Sequence, residues 1–302
     1  PRATASMSST RIPALIAALV PRLARWALLP RRDLCEERGC RARAFCPVRQ
    51  SRFHYAVRKG GGPVVEDVVW EPLWRQEFVA VSSAHGFGTD AVLLADFAVP
   101  RPGERVMELG TGCGAIALRL CAAGRPLTVR GIDLAPEAIE LCRRSAAAFS
   151  GVPVPTFSVG DWRQPRTLGE AGSVELVVCN PPYFPPHTGG VPADAARRRA
   201  RHAGEDTLAE IAAAARWLLK NGGRFCLCHR PEFLTAVLAA VSAAGLEPKR
   251  LRPVQETAAA APWLFLLECR KGGRSGLRWE PPLCRYAARR EESAEWRRIY
   301  NE

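Results

Sequence analysis

Four residues, Asn180-Pro181-Pro182-Tyr183, carry the most specific chemistry in this chain. An exocyclic amine conjugated to a ring is a poor nucleophile, because its lone pair is delocalised. Two acceptors placed on its N–H bonds, the Asn180 side-chain oxygen and the Pro181 carbonyl, pull the nitrogen toward sp³ and expose that pair. The prolines stiffen the turn and remove competing N–H donors. Tyr183 offers a flat face for a base, a stacking contact worth roughly 1–3 kcal/mol. No strong general base is needed, since the proton can leave after group transfer, and alignment supplies much of the rate. The plain alternative is a strand-to-loop turn, which Asn-Pro favours.

A second constellation lies upstream. In Glu108-Leu109-Gly110-Thr111-Gly112-Cys113-Gly114 a glycine turn closes a predicted strand, so backbone N–H groups and a helix N-terminus can approach a ligand. Alone, Gly110, Gly112 and Gly114 also fit a dinucleotide fingerprint. Glu108 at the strand end suits a cationic amino-acid moiety, such as the methionine part of S-adenosylmethionine. Asp133 ends the next strand, where a carboxylate can accept both ribose hydroxyls; its plain alternative is a helix cap before Pro136. Asp161, in Gly160-Asp161-Trp162, can accept from an adenine amino group, while Trp162 packs on the adenine or in the core. Thr89 or Asp90 reads as a helix N-cap before an apolar run. Alternatively that helix start leans over the cofactor, which adds Thr89 and Asp90 to a set with Asn180. His187 and His202 read as exposed loop residues. Arg197, Arg198, Arg199 and Arg201 form a basic run suited to a solvated loop or to phosphates. Cys226 and Cys228 are expected on opposite faces of a strand, unable to share a metal, and no metal site is indicated.

These residues need a scaffold. Strands are predicted at 105–110, 128–133, 155–159, 174–179, 223–229, 248–254 and 263–269, and helices at 114–123, 136–149, 207–220 and 231–244. The third of these helices is expected to end at Asn221-Gly222-Gly223. Strand–helix alternation implies an α/β, mostly parallel seven-stranded sheet with helices on both faces, its last two strands a hairpin. Ligands of such sheets bind at the carboxyl ends of the strands. A further hairpin is expected before Gly86, ending in Phe78-Val79-Ala80-Val81. The tail from Gly272, rich in Arg and Glu, is expected to pack loosely on the surface.

The chain has 302 residues, 47% of them hydrophobic, enough for a substantial core. No apolar run reaches the roughly 18 residues of a membrane span. Eleven cysteines without a secretion pattern suit reduced thiols in a cytoplasm. The net charge of +13 is uneven: residues 1–60 hold 13 Lys/Arg against 3 Asp/Glu, leaving the remainder nearly balanced. Net charge alone therefore supports nucleic-acid binding only weakly. Domains are expected at 64–271 for the enzyme and 272–302 for the tail. Residues 1–63 read as a basic, disordered or mis-annotated extension; an organelle transit peptide and a zinc site at Cys35, Cys40 and Cys46, which lacks a paired spacing, are the other readings.

From Phe78 to Lys271 the chain resembles the bacterial tRNA1(Val) adenine N6-methyltransferase family. The resemblance rests on Gly88-Thr89-Asp90-Ala91-Val92-Leu93-Leu94-Ala95, the Glu108–Gly114 turn, Asp133, Asn180–Tyr183 and Leu218-Leu219-Lys220-Asn221-Gly222-Gly223-Arg224. It implies a Rossmann-like enzyme that moves a methyl group from S-adenosylmethionine to a tRNA adenine beside the anticodon; a cytoplasmic monomer is expected. It also implies cofactor contact at Glu108, Gly110, Asp133 and Asp161 and amine binding at Asn180 and Tyr183. Residues 1–60 match nothing in that family. Methylation of a protein glutamine, methylation of DNA adenine with base flipping, and a non-catalytic RNA-binding role are the alternatives.

Overall fold

The computed structural model describes residues 53–54, 67–182, 205–288 and 291–300. Tyr183, His187, the Arg197 to Arg201 run, His202 and Cys35, Cys40 and Cys46 lie outside them. A small antiparallel sheet comes first: β1 (Phe53–His54), β2 (Val69–Trp74) and β3 (Glu77–Val81), with Val69 opposite Val81. The hairpin expected before Gly86 is therefore present, formed by β2 and β3. Two residues of the expected extension, Phe53 and His54, pair with β2. Helix α1 (Thr89–Ala98) follows.

Then come β4 (Arg105–Leu109), α2 (Ala115–Ala122), β5 (Thr128–Asp133), α3 (Pro136–Ala148), β6 (Thr156–Val159), α4 (Pro165–Leu168) and β7 (Val174–Cys179). After these the chain forms α5 (Glu205–Leu218), β8 (Leu219–His229), α6 (Leu234–Ala243), β9 (Leu246–Gln255) and β10 (Leu264–Lys271). The main sheet runs β11-β9-β10-β8-β7-β4-β5-β6, where β11 (Arg278–Trp279) and also β12 (Leu283–Cys284) pair with β9. Strands β8, β7, β4, β5 and β6 are parallel, and β10 is antiparallel to both neighbours. This is the Rossmann-like, class I methyltransferase arrangement, with the short strands β11 and β12 bringing the seven expected strands to nine. The helix expected to reach Lys220 stops at Leu218, because Leu219 already pairs with Val174 and a register shift then admits Gly222 at φ 78°.

Side chains alternate between the two faces, so the central strands feed two cores. On β7, Leu176 and Val178 join one with α1, α2 and the β2–β3 hairpin; Val177 and Cys179 join the other with α5 and α6. Cys226 and Cys228 both lie in the first core. The expectation of opposite faces fails because residues two apart on a strand point the same way. Among the described residues no group of three His, Cys, Asp or Glu could hold a metal, and no helix is long and apolar enough to cross a membrane.

The tail is also a correction. After β13 (Tyr286–Ala288) and β14 (Glu291–Glu292), helix α7 (Ala294–Tyr300) rests on α1, and Leu283, Trp296 and Ile299 are buried in the first core. Arg298 bridges Asp96 of α1 at 2.9 Å, and Arg252 holds Glu295 at 2.7 Å. Three apolar side chains, spaced among Arg and Glu, dock the segment that composition assigns to the surface.

Candidate functional site

Sheet register assembles the site. Leu109 pairs with Ile132 on one side and with Cys179 on the other, and Cys179 pairs with Leu227. The residues one step beyond, Asp133, Gly110, Asn180 and Cys228, therefore form a row across the carboxyl ends of β5, β4, β7 and β8. The connections after β4 run outward to β5 and β6, and those after β7 run the other way. Such a reversal opens the crevice in which ligands of open α/β sheets bind.

The glycine turn is a left-handed path. Gly110, Gly112 and Gly114 have φ of 70°, 55° and 87°, a region that a Cβ makes costly. A Cβ at Gly112 would meet nothing within 4 Å, so conformation alone demands glycine there. At Gly114 crowding adds to conformation, since a Cβ would stand 3.1 Å from both Cys142 Sγ and Phe157 Cζ. Gly131, which composition does not single out, is needed for space: a Cβ there would lie 2.6 Å from Thr111 Oγ1.

Glu108 lies beneath this turn rather than facing outward. It is 1% exposed and accepts from Thr111 Oγ1 at 2.7 Å and from the Ala117 N–H at 3.0 Å, both on Oε2. Burial pushes its pKa up to about 8, against the lowering effect of those two hydrogen bonds. Its contacts are those of a brace joining β4, the turn and the first turn of α2. Asp133 is partly exposed. Its Oδ2 accepts from the Gly112 N–H at 2.8 Å and its Oδ1 from the Ala135 N–H at 3.0 Å, which leaves each oxygen a second lone pair. The helix after it caps on Ala135, so Asp133 is not the N-cap of α3.

Asp161 is engaged from its own loop. Arg163 donates to it from Nε and Nη2, the latter at 2.7 Å, and this pairing outweighs desolvation and lowers the carboxyl pKa. Trp162 adjoins the turn instead, with Cζ3 3.3 Å from where a Gly110 Cβ would be.

Asn180 lies just past β7, followed by buried Pro181. Its Nδ2 donates to Asp90 Oδ2 at 3.1 Å, and its Oδ1 accepts from the Cys228 thiol at 3.1 Å. Neither Thr89 nor Asp90 is the N-cap of α1. Gly88 takes that place with extended backbone and no side-chain cap, leaving Thr89 and Asp90 inside the first turn. The Asp90 carboxylate is therefore not the helix cap, and it reaches the Asn180 amide. Neither this contact nor that of Cys228 is signalled by spacing in the sequence.

A methyl-donor nucleoside suits these residues. A left-handed turn of backbone N–H groups, a partly exposed carboxylate on the neighbouring strand and an indole edge against the turn offer hydrogen-bond and stacking partners of the kinds its charged, hydroxyl and aromatic parts require.

Comparison with known proteins agrees. Residues 106–223 match the model of a methyltransferase domain. The tRNA1(Val) (adenine(37)-N6)-methyltransferase of Tolumonas auensis is 30% identical over 190 residues, which is 60% of this chain and 74% of that protein. Its counterpart in Serratia proteamaculans is 31% identical over 185 residues, 59% of this chain and 64% of that protein. A release factor glutamine methyltransferase of Rhodospirillum rubrum is 41% identical over 83 residues, 28% of this chain and only 24% of that protein. Among solved structures, one titled a predicted O-methyltransferase from Agrobacterium tumefaciens superposes with a TM-score of 0.56 at 19% identity, covering 71% of this chain and 99% of that one, which is a likeness of fold. With nearly three quarters of a curated member spanned at 30% identity, the chain belongs to the tRNA1(Val) (adenine(37)-N6)-methyltransferase family.

Proposed function

We propose that this protein transfers a methyl group to the exocyclic N6 amine of an adenine in tRNA, beside the anticodon of a valine tRNA. Its methyl donor is S-adenosylmethionine. The observation that carries the reading is the row of Asp133, Gly110 and Asn180 across adjacent strand ends, which sets an amine-holding turn beside a nucleoside cradle. The family relatives named for tRNA support the substrate.

When bound, S-adenosylmethionine supplies an electrophilic methyl, and the electrons of the broken carbon–sulfur bond stay on sulfur. The protein's own residues align and polarise the acceptor. Asn180 Oδ1 and the Pro181 carbonyl accept the two amine hydrogens, which raises the electron density of the nitrogen lone pair. Tyr183 stacks on the adenine, and the surplus proton passes to water once the nitrogen–carbon bond has formed. Gly110, Gly112 and Gly114 carry the cofactor's amino-acid end, with Glu108 bracing the turn from below. Asp133 holds the ribose, Asp161 and Trp162 flank the cofactor's adenine, and Thr89 borders the pocket from α1. The protein works as a cytoplasmic monomer.

The test is transfer of labelled methyl from S-adenosylmethionine into total tRNA, followed by nucleoside mass analysis. N6-methyladenosine is expected with wild type and should disappear with Asn180→Ala. Label in protein but not in tRNA would transfer the assignment to a glutamine amide, the reading favoured by the short 41% match.

A further inference from the structure

The Asn180 amide has two unlike ends of almost the same shape. Only the oxygen can accept a hydrogen from an amine; the NH₂ end would point donors at donors. An amine-holding asparagine must therefore be kept from turning over. In this structure it is gripped from both sides. The Asp90 carboxylate, which can only accept when ionised, takes Nδ2 at 3.1 Å, and the Cys228 thiol donates to Oδ1 at 3.1 Å. Turning the amide would set oxygen against carboxylate oxygen. An amide oxygen has two lone pairs, so the thiol leaves one for the incoming amine.

Local structure around Asp90 is shaped to hold that carboxylate. The Ala91 N–H donates to Asp90 Oδ1 at 2.9 Å, leaving Oδ2 for Asn180. Gly88 has φ −122° and ψ −178°, a conformation open to any residue. Yet a Cβ there would stand 2.8 Å from Asp90 Oδ1. The glycine makes room for the carboxylate rather than for a turn.

We propose that Asp90 is a positioning residue for methyl transfer, fixing the Asn180 amide with its oxygen end toward the acceptor amine. It acts through Asn180 and not as a contact of the methyl donor. This rests on the amine-holding role proposed for Asn180.

The experiment measures kcat and KM on a transcribed valine tRNA, together with the dissociation constant of S-adenosylmethionine. Loss of a hydrogen bond to a charged group predicts a fall in kcat of roughly 10- to 100-fold for Asp90→Ala. KM for the tRNA and cofactor affinity should hold. The isosteric Asp90→Asn, whose amide can offer either end, should fall between, and Gly88→Ala should lower kcat in the same sense. Because Asp90 acts through Asn180, the Asp90→Ala/Asn180→Ala double variant should fall no further than Asn180→Ala. Weakened cofactor binding with kcat intact in Asp90→Ala would overturn the proposal, as would fully additive losses. If Asn180→Ala itself kept wild-type kcat, the amine-holding reading would fail first and take this one with it.

Discussion

Glu108 sits under the glycine turn with both of its hydrogen bonds on one oxygen, and burial there lifts its pKa from 4.5 to about 8. Between those values the folded protein binds a proton that the unfolded chain releases. Linkage then gives the sign: this group's contribution to stability is greatest below about pH 4.5, falls as pH climbs, and levels off above about pH 8. Glu108→Gln keeps an acceptor for Thr111 and Ala117 but carries no titrating proton. Its stability, measured by urea unfolding across that window, should lose this downward slope; an unchanged slope would show that another group causes it. Residue types disclosed which side chains could do chemistry here. They did not disclose that Glu108 would turn inward or that Asp90 would find Asn180 across 90 positions, since both depend on which strand ends meet.

Among the elements, α7 shows how little of a surface segment's role is visible in its composition. Trp296 is 5% exposed and stacks on Tyr300 with ring centroids 5.3 Å apart. Trp296→Ala should destabilise the protein by roughly 3–5 kcal/mol, read from the midpoint of a urea transition. A loss below about 1 kcal/mol would mean that the helix docks only weakly. The strands and helices of the sheet were legible because apolar runs alternate with helical spacing and Gly, Pro or Asn punctuate them. Helix α7 was not, because its buried positions are few and interleaved with Arg and Glu, so no periodic stripe emerges. The end of α5 departs from expectation for a related reason: Asn221-Gly222-Gly223 reads as a helix stop, but pairing of Leu219 with Val174 claims the chain first.

For the whole molecule, residues 50–302 form a compact unit of their own, and the residues before it carry 10 Lys/Arg against 3 Asp/Glu. A chain beginning at Gln50 should keep its melting temperature and its affinity for S-adenosylmethionine, both measurable by thermal shift. Should the basic segment touch RNA, its removal would flatten the dependence of tRNA affinity on salt, since that slope scales with the number of phosphates neutralised. An unfolded truncation would instead make the segment part of the fold. The docking of α7 on α1 has a consequence for synthesis. A polypeptide is made from its amino end, and early segments begin to fold while later ones are still being added. Helix α1, with Asp90 in its first turn, emerges before any strand of the main sheet, whereas Trp296 and Ile299, which complete its seat, emerge after all of them. In the order of synthesis, the residues that place the glycine turn and Asn180 are therefore all made before the last side chains that pack on α1.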